Sequence, residues 1–306
     1  MTDAYAFTLT RTGGPEVLEA QNIAIPSPGP GEVLVRHEAV GLNFIETYHR
    51  SGLYPVPLPS GLGTEAAGVV EAVGEGVSGF REGNRVGYFT GPLGSYATHR
   101  VITEERLVKL PDSISTEQAA AAMLKGCTAE YLVERCASVQ PGDVVLVHAA
   151  AGGVGSILVP WLKHLGAVVI AHSGDSRKAA LAKDSGADHS LCGAFEDLAA
   201  DVRALTGGKG VKVVLDGVGA ASWAASLGSV AARLDRDLWQ CLGAGAPLYR
   251  ARPAERRIGV RDPADAGRLR ENRGRNASLG GAVVRAHRAG DRTGDDRGAL
   301  CPARRG

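Results

Sequence analysis

Three glycines among small side chains occupy residues 149–155, in the order Ala-Ala-Ala-Gly-Gly-Val-Gly. A turn of this composition can bring backbone amides close to an anion, because a side chain at Gly152 would block the approach. The absence of a side chain at Gly155 allows the following helix to pack closely on the preceding strand. Such a turn is suited to binding a dinucleotide pyrophosphate, and the candidate contacts are Gly152, Gly153, Val154 and Gly155.

Ala150 stands where the first glycine of a G-x-G-x-x-G pattern is usually found, so the pattern is incomplete. A tight strand-to-helix turn that binds no ligand is therefore the alternative. The flanking segments favour cofactor binding. The apolar run 144–149 predicts a strand buried on both faces, residues 156–165 predict a helix despite Pro160, and 168–173 predict a second strand.

The end of the second predicted strand bears on the choice between NAD and NADP. An NAD-binding chain usually carries an acidic residue there, whereas this strand ends in Ser173 and Gly174, followed closely by Arg177 and Lys178. Small residues and cations suit the dianionic 2′-phosphate of NADP. Asp175 leaves two interpretations open, since it can cap a helix or act as a displaced NAD-type acid.

Elsewhere the pattern predicts a β-rich first part and an alternating β/α second part. No long helical period occurs in residues 1–110, and strands are predicted at 32–40, 67–74 and 85–89. Beyond residue 115, helices are predicted at 115–136, 178–185 and 195–205, and further strands at 189–192 and 211–216. This alternation favours a parallel sheet with helical crossovers.

Six segments together resemble the zinc-independent quinone oxidoreductases (zeta-crystallin-like) of the medium-chain dehydrogenase/reductase superfamily. They are residues 41–48, 50–55, 62–68, 124–129, 148–155 and 216–219. The resemblance implies an α/β fold: a GroES-like, mainly-β catalytic domain over 1–118 and a truncated Rossmann-type dinucleotide-binding domain over 119–229. It also implies hydride transfer from NADPH to a small-molecule quinone or enone, without a metal.

The resemblance also carries roles to particular residues. Asn43 and Thr128 are expected beside the nicotinamide, and Tyr48 and Tyr54 are expected to line the substrate cleft or, alternatively, to serve in packing. Ala150 and the glycine turn would hold the pyrophosphate. Ser173, Gly174 and Lys178 would hold the adenosine phosphate. A tyrosine that often joins the phosphate site in this family aligns with Gly193 here, which predicts weaker cofactor binding.

Zinc-dependent relatives place a metal-binding Cys at the position of Asn43 and a His at the position of Thr64. An amide and a hydroxyl are poor zinc ligands, so no metal site is expected. The five cysteines are scattered without a C-x-x-C pair, which favours reduced thiols and a cytoplasmic location. The sequence predicts neither a signal peptide nor a membrane span.

The resemblance stops after residue 229. Residues 1–229 carry a net charge of −7, whereas residues 230–306 carry 17 Arg, no Lys and a net charge of +8. Shifting the coding frame by one base near Val230 can regenerate two family motifs from this tail. We therefore expect a frameshift, from a mutation or a sequencing error. It would leave about four strands in the parallel sheet. We also expect a tail that is disordered or packs poorly, and a chain that is unstable and weakly active or inactive.

Two other functions are consistent with these residues. A non-catalytic NADPH-binding protein would use the same fold without reducing an acceptor. A nucleic-acid binder would use the Arg-rich tail, although we expect no nucleic-acid partner. Family members commonly form homodimers, so a homodimer is expected only if the C-terminal region is intact.

Overall fold

The computed structural model describes residues 4–231 and the backbone of residues 239–241. Two compact units are present, the first ending at Leu124 and the second beginning at Lys125. The expected non-family tail from 230 onward lies, apart from residues 230, 231 and 239–241, outside the described residues. Within the described residues, no helix has the length and apolar character needed to cross a membrane.

The first unit is built from two antiparallel sheets. Its strands are β1 (Tyr5–Leu9), β2 (Leu18–Asn22), β3 (Glu32–Val40), β4 (Ser60–Gly61), β5 (Ala66–Val73), β6 (Arg85–Tyr88), β7 (His99–Thr103) and β8 (Val108–Lys109). The three-stranded sheet has the order β2-β1-β4, and the five-stranded sheet has the order β7-β3-β5-β6-β8. The predicted mainly-β character of this part is confirmed.

Alternating side chains of the five-stranded sheet form the core of this unit. Val33 and Val35 on β3 are fully buried, as is Val86 on β6, and they pack with Val70 and the ring of Tyr88. These side chains are spaced by two along their strands and so share one face of the sheet, while Leu34 and Ala67 are buried on the opposite face. The core therefore fixes the register of β3 and β5, whose ends carry the segments around Asn43 and Glu65.

A short helix interrupts the β structure of the first unit. Helix α1 (Phe44–Ser51) begins at the N-cap Asn43, where the side chain of Glu46 accepts a hydrogen bond from the Asn43 amide in a capping box, and it ends at the left-handed Gly52. The sequence pattern gave no helix here, because eight residues are too few to show a helical period.

The second unit is a doubly wound parallel sheet. Its strands are β9 (Val144–Val147), β10 (Val168–Ser173), β11 (His189–Cys192), β12 (Val213–Asp216) and β13 (Trp239–Cys241), in the order β11-β10-β9-β12-β13. Helix α2 (Thr116–Glu130) precedes it, and α3 (Gly155–His164), α4 (Ser176–Asp184), α5 (Leu198–Leu205) and α6 (Trp223–Ser229) connect it. The Rossmann-type prediction is confirmed.

Three details differ from the predicted elements. A π-helical turn, Tyr131–Cys136, follows α2 where one continuous helix was expected. Helix α3 starts at Gly155, one residue earlier than predicted, and continues to His164 past Pro160, which cannot donate the bond that an amide at this position would make. The four strands expected before residue 229 are present, and a fifth strand, Trp239–Cys241, pairs in parallel with β12 beyond that point.

Candidate functional site

The glycine turn between β9 and α3 is shaped by one carbonyl group. The Ala149 oxygen accepts a hydrogen bond of 2.7 Å from the Gly152 amide, and a Cβ at Gly152 would lie 3.0 Å from the same oxygen. A Cβ at Gly155 would lie 2.6 Å from the Ala150 oxygen and closer still to that of Ala149. The expected close packing at Gly155 is therefore present, and the backbone itself requires glycine here.

Two neighbouring alanines complete the turn. Ala149 has a φ of +48°, which is unfavourable for a residue with a side chain. Ala150 is fully buried and donates a 3.1 Å hydrogen bond to His172 on β10. A methyl group therefore fits at Ala150, which explains why the first glycine of the usual pattern is dispensable in this chain.

The start of α3 is suited to an anion. In the described part of the chain, the amides of Gly153 and Val154 donate to no other group, as is general for the first turn of a helix. Gly152 and Gly153 are exposed, so their backbone is open to a ligand. Free amides and the positive end of the helix dipole together favour a phosphate at this point.

The end of β10 resolves the two interpretations of Asp175. Its carboxylate accepts a 2.8 Å hydrogen bond from the Lys178 amide and caps α4, as in one of the two predicted roles. The Lys178 ammonium lies 3.1 Å from the same carboxylate, and both side chains are about half exposed. Hydrogen bonding from the Lys178 amide and side chain lowers the pKa of Asp175.

The hydroxyl of Ser173 is buried at the same strand end and has no hydrogen-bond partner within the described residues. A buried hydroxyl without a partner is unfavourable unless a ligand satisfies it. Gly174 follows it, exposed, with open space around its Cα. Ser173 and Gly174 thus end the strand and Lys178 lies in the first turn of α4, so their joint role as a phosphate site stays a prediction.

A buried polar network under the turn was missed by sequence reasoning. The Asp216 carboxylate, at the end of β12, accepts hydrogen bonds of 2.6 Å from both Ser222 and Ser226 and 2.8 Å from the Val218 amide. His148, directly after β9, lies 2.9 Å from the Ser226 hydroxyl. The network therefore joins the loops that follow two adjacent strands. The sequence could have indicated this network only if the pairing of β9 with β12 had been known.

Protonation in this network follows from its hydrogen bonds. Ser226 donates to Asp216, so its oxygen accepts from the Nε2 of His148, and the Nδ1 of His148 is left buried without a partner among the described residues. Burial, aided by the neighbouring His172 and opposed by Asp216, lowers the pKa of His148 to about 4. Burial opposes ionisation of Asp216, but His148 and the two serines outweigh it and lower its pKa.

In the first unit, Asn43 is fixed by two buried carboxylates. Its amide nitrogen Nδ2 donates a 2.8 Å hydrogen bond to Glu65, and its backbone amide donates to Glu46. Glu65 also accepts 2.6 Å from the Leu124 amide, and its carboxylate fills the space that a side chain at Gly41 would need. Asn43 is therefore held in one orientation, a role that the sequence did not indicate for Glu65.

The aromatic residues of the first unit form a cluster at α1. Tyr48 and Tyr54 have ring centroids 5.5 Å apart, and the rings of Phe44 and Tyr48 are 5.3 Å apart. Phe44 and Leu42 are exposed by 73% and 74%. A partly exposed aromatic surface suits a flat apolar ligand. The predicted cleft residues Tyr48 and Tyr54 are thus brought together.

Thr128 lies on α2 in the second unit, one turn after Lys125. Lys125 was not predicted as a site residue. Its carbon chain lies over the glycine turn, because a Cβ at Gly153 would be 2.9 Å from its Cε. Asn43 belongs to the other unit, so its expected proximity to Thr128 stays a prediction.

Possible metal ligands and cysteine pairing bear on two of the sequence-based expectations. Among the described residues, no group of three His, Cys, Asp or Glu side chains is arranged to hold a metal ion. Cys127 and Cys136 are not in disulfide bonds. Cys192 is disulfide-bonded, so the expectation of reduced thiols throughout was wrong.

Comparison with known proteins gives concordant matches. The family model described as "Alcohol dehydrogenase GroES-like domain" matches residues 29–112, and "Zinc-binding dehydrogenase" matches residues 153–234. A quinone oxidoreductase of Pseudomonas aeruginosa is 52% identical over 222 residues, which is 72% of this chain and 68% of that protein. A 2-haloacrylate reductase of Burkholderia sp is 45% identical over 221 residues, covering 70% of this chain and 66% of that protein.

A solved structure is also similar. The Escherichia coli quinone oxidoreductase complexed with NADPH superposes with a TM-score of 0.80 at 38% identity, covering 93% of this chain and 86% of that one. The curated relatives are thus matched over about two thirds of their length, and the solved structure over most of it.

Substituting Gly155 with alanine should destabilise the second unit. The added Cβ would collide with two backbone carbonyls, so we expect the free energy of unfolding to fall by about 1–3 kcal/mol or more. Urea unfolding followed by tryptophan fluorescence measures the change. Gly174→Ala is the matched control, since its Cβ enters open space. Equal stability of the two variants would contradict the close approach.

Acid should destabilise the second unit through His148. Its folded-state pKa of about 4 lies below its ordinary value of 6.5, so its contribution is present above pH 6.5 and is lost as the pH falls toward 4. The loss is on the order of 3 kcal/mol. Unfolding free energies measured across this window should decrease with falling pH, and His148→Gln should flatten the curve.

The control for this titration is His164→Gln, which changes an exposed histidine on α3. It should leave the pH dependence of the unfolding free energy unaltered. A His148→Gln variant with the same pH dependence as the unaltered chain would mean that other groups produce the acid sensitivity.

Proposed function

The chain belongs to the zinc-independent quinone oxidoreductases of the medium-chain dehydrogenase/reductase superfamily, and from this we propose that it transfers hydride from NADPH to a quinone or another conjugated carbonyl. The observation that carries the proposal is the turn at 152–155, where backbone carbonyls crowd the Cβ positions of Gly152 and Gly155 and the amides of Gly153 and Val154 are open. This is the arrangement that binds a dinucleotide pyrophosphate.

The residues of the second unit fit NADPH. The open turn would hold the pyrophosphate through Gly152, Gly153, Val154 and Gly155, and Ala150 would help to hold the turn in place. The buried hydroxyl of Ser173 lacks a partner among the described residues, and Lys178 follows five positions later in the sequence with a half-exposed ammonium group. Ser173, Gly174 and Lys178 would therefore hold the adenosine phosphate. NADPH supplies the hydride when bound.

The first unit supplies positioning groups. Asn43 is held rigidly by Glu46 and Glu65, and we propose that it and Thr128 orient the nicotinamide. Rigid support of this kind keeps a contacting group in one geometry through the reaction. Tyr48 and Tyr54 provide an aromatic surface against which a flat acceptor packs and from which water is excluded.

The acceptor is proposed as a quinone or enone. The names of the relatives support both, since one is a quinone oxidoreductase and another a 2-haloacrylate reductase, whose named substrate contains a conjugated double bond. A non-catalytic NADPH-binding protein is the alternative. It would bind NADPH and oxidise it with neither class of acceptor.

Several finer points complete the proposal. We assign the catalytic domain to residues 1–118 and the cofactor domain to 119–229. The location proposed is cytoplasmic, where NADPH serves reductases. Cys127 and Cys136, which are not in disulfide bonds, suit this compartment, although the disulfide at Cys192 is unusual for it. A homodimer without nucleic-acid partners is proposed for a form with an intact C-terminal region.

Lys178→Ala should change the affinity for NADPH but not the affinity for NADH. The variant loses the cation assigned to the 2′-phosphate, so we expect the Kd of NADPH to rise about tenfold and that of NADH to change little. Tryptophan quenching gives both constants, and NADPH consumption with benzoquinone or an enone gives the activity. The rate of NADPH consumption by the full 306-residue chain should be lower than that of its Pseudomonas relative.

Lys209→Ala is the control, because Lys209 is an exposed cation remote in sequence from the turn. It should leave both constants unchanged. Tight NADPH binding without consumption in the presence of either acceptor would favour the non-catalytic alternative. Equal affinity for NADPH and NADH in the unaltered chain would refute the assignment of the 2′-phosphate site.

The frame of the coding sequence near Val230 is a separate proposal. Support comes from the family match, which ends at residue 234, and from the curated match over 222 of 306 residues. Repeated sequencing of the source DNA across codons 225–250 should reveal a missing or extra base. Restoring the frame should then raise quinone reductase activity. A confirmed frame would mean that the organism makes the chain as written.

A further inference from the structure

The side chain of Lys125 extends along the glycine turn. It lies near the C-terminal end of α2, and a Cβ at Gly153 would meet its side chain at 2.9 Å from Cε and 3.0 Å from Cδ. Because one carbon–nitrogen bond of about 1.5 Å separates Cε from the ammonium nitrogen, the charge lies within about 4.5 Å of that position. Lys125 thus brings a cation to the exposed side of the turn.

The turn itself is prepared for negative charge at the same place. The amides of Gly153 and Val154 have no acceptor in the described ranges, and both belong to the positive end of α3. A cation placed beside open amides adds a charge-assisted contact to an anion that the amides already favour. The small residue at Gly153 is what admits the lysine stem, since any side chain there would displace it.

We propose that Lys125 is a cofactor-binding residue that neutralises the pyrophosphate of the dinucleotide at this turn. The proposal rests on the proposed function, because it takes NADPH as the ligand. It assigns Lys125 and Lys178 to different phosphate groups of the cofactor. Lys125 serves the pyrophosphate, which NADPH and NADH share, whereas Lys178 serves the 2′-phosphate, which only NADPH carries.

The division predicts a distinct pattern of affinities. Lys125→Met keeps the length of the stem and removes the charge, so it should raise the Kd of NADPH and of NADH by the same factor, about tenfold or more. The affinity for 2′-AMP, which lacks the pyrophosphate, should not change. Lys178→Ala should show the opposite pattern, weakening NADPH and 2′-AMP and leaving NADH unaffected.

Binding to the full 306-residue chain is measured by calorimetry or tryptophan quenching, so the readout does not depend on turnover. Lys125→Arg, which retains the charge, should restore most of the affinity for both dinucleotides, and Lys209→Met is the control for removing a cation elsewhere. Urea unfolding of each variant shows whether the fold is intact. The effect of Lys125→Met should also shrink at high salt.

Three results would overturn the assignment. One is an unchanged dinucleotide Kd in Lys125→Met, and another is an equal loss of 2′-AMP binding, which would indicate general damage. The third is a failure of Lys125→Arg to restore affinity while its stability is normal. If the unaltered chain binds no dinucleotide at all, both the proposed function and this assignment are refuted. If it binds dinucleotides with an affinity that does not depend on Lys125, only this assignment is refuted.

Discussion

The close approach of two backbone segments at the end of β9 is the constraint on which the second unit depends. The carbonyl oxygens of Ala149 and Ala150 occupy the space that a Cβ at Gly155 would need, so α3 can start there only with glycine. That start determines where the open amides of Gly153 and Val154 point. The same packing requirement that brings strand and helix together therefore leaves backbone amides available to an anion, as the proposed pyrophosphate site requires.

Buried polar networks hold the loops around this junction. The Asp216 carboxylate accepts hydrogen bonds from two serine hydroxyls and a backbone amide. One of these serines, Ser226, also bonds to His148 at the start of the glycine turn. A carboxylate with several donors is a stable buried anion, whereas the same group without them would be strongly unfavourable. The network thus makes the positions of two loops interdependent, at the carboxyl edge where ligands bind in parallel sheets.

A comparable arrangement in the first unit holds an amide where the zinc-dependent relatives place a thiolate. Glu46 and Glu65 together satisfy the backbone and side-chain donors of Asn43. Burial and the nearness of these carboxylates raise the pKa of Tyr96, which keeps that phenol neutral. Asn43 is thereby held in one orientation, as its proposed role in positioning the nicotinamide requires.

The sequence by itself determined the elements whose residues act locally. The apolar strands, the glycine turn, the parallel sheet and the cap at Asp175 all follow from patterns within about ten neighbouring positions. The sequence did not indicate α1, because a single capping box and eight residues carry too little periodicity. Tertiary structure alone decided contacts between segments distant in the chain: Glu65 with Asn43, Asp216 with His148, and Lys125 with Gly153. These pairs depend on strand order and helix placement, which no local pattern specifies.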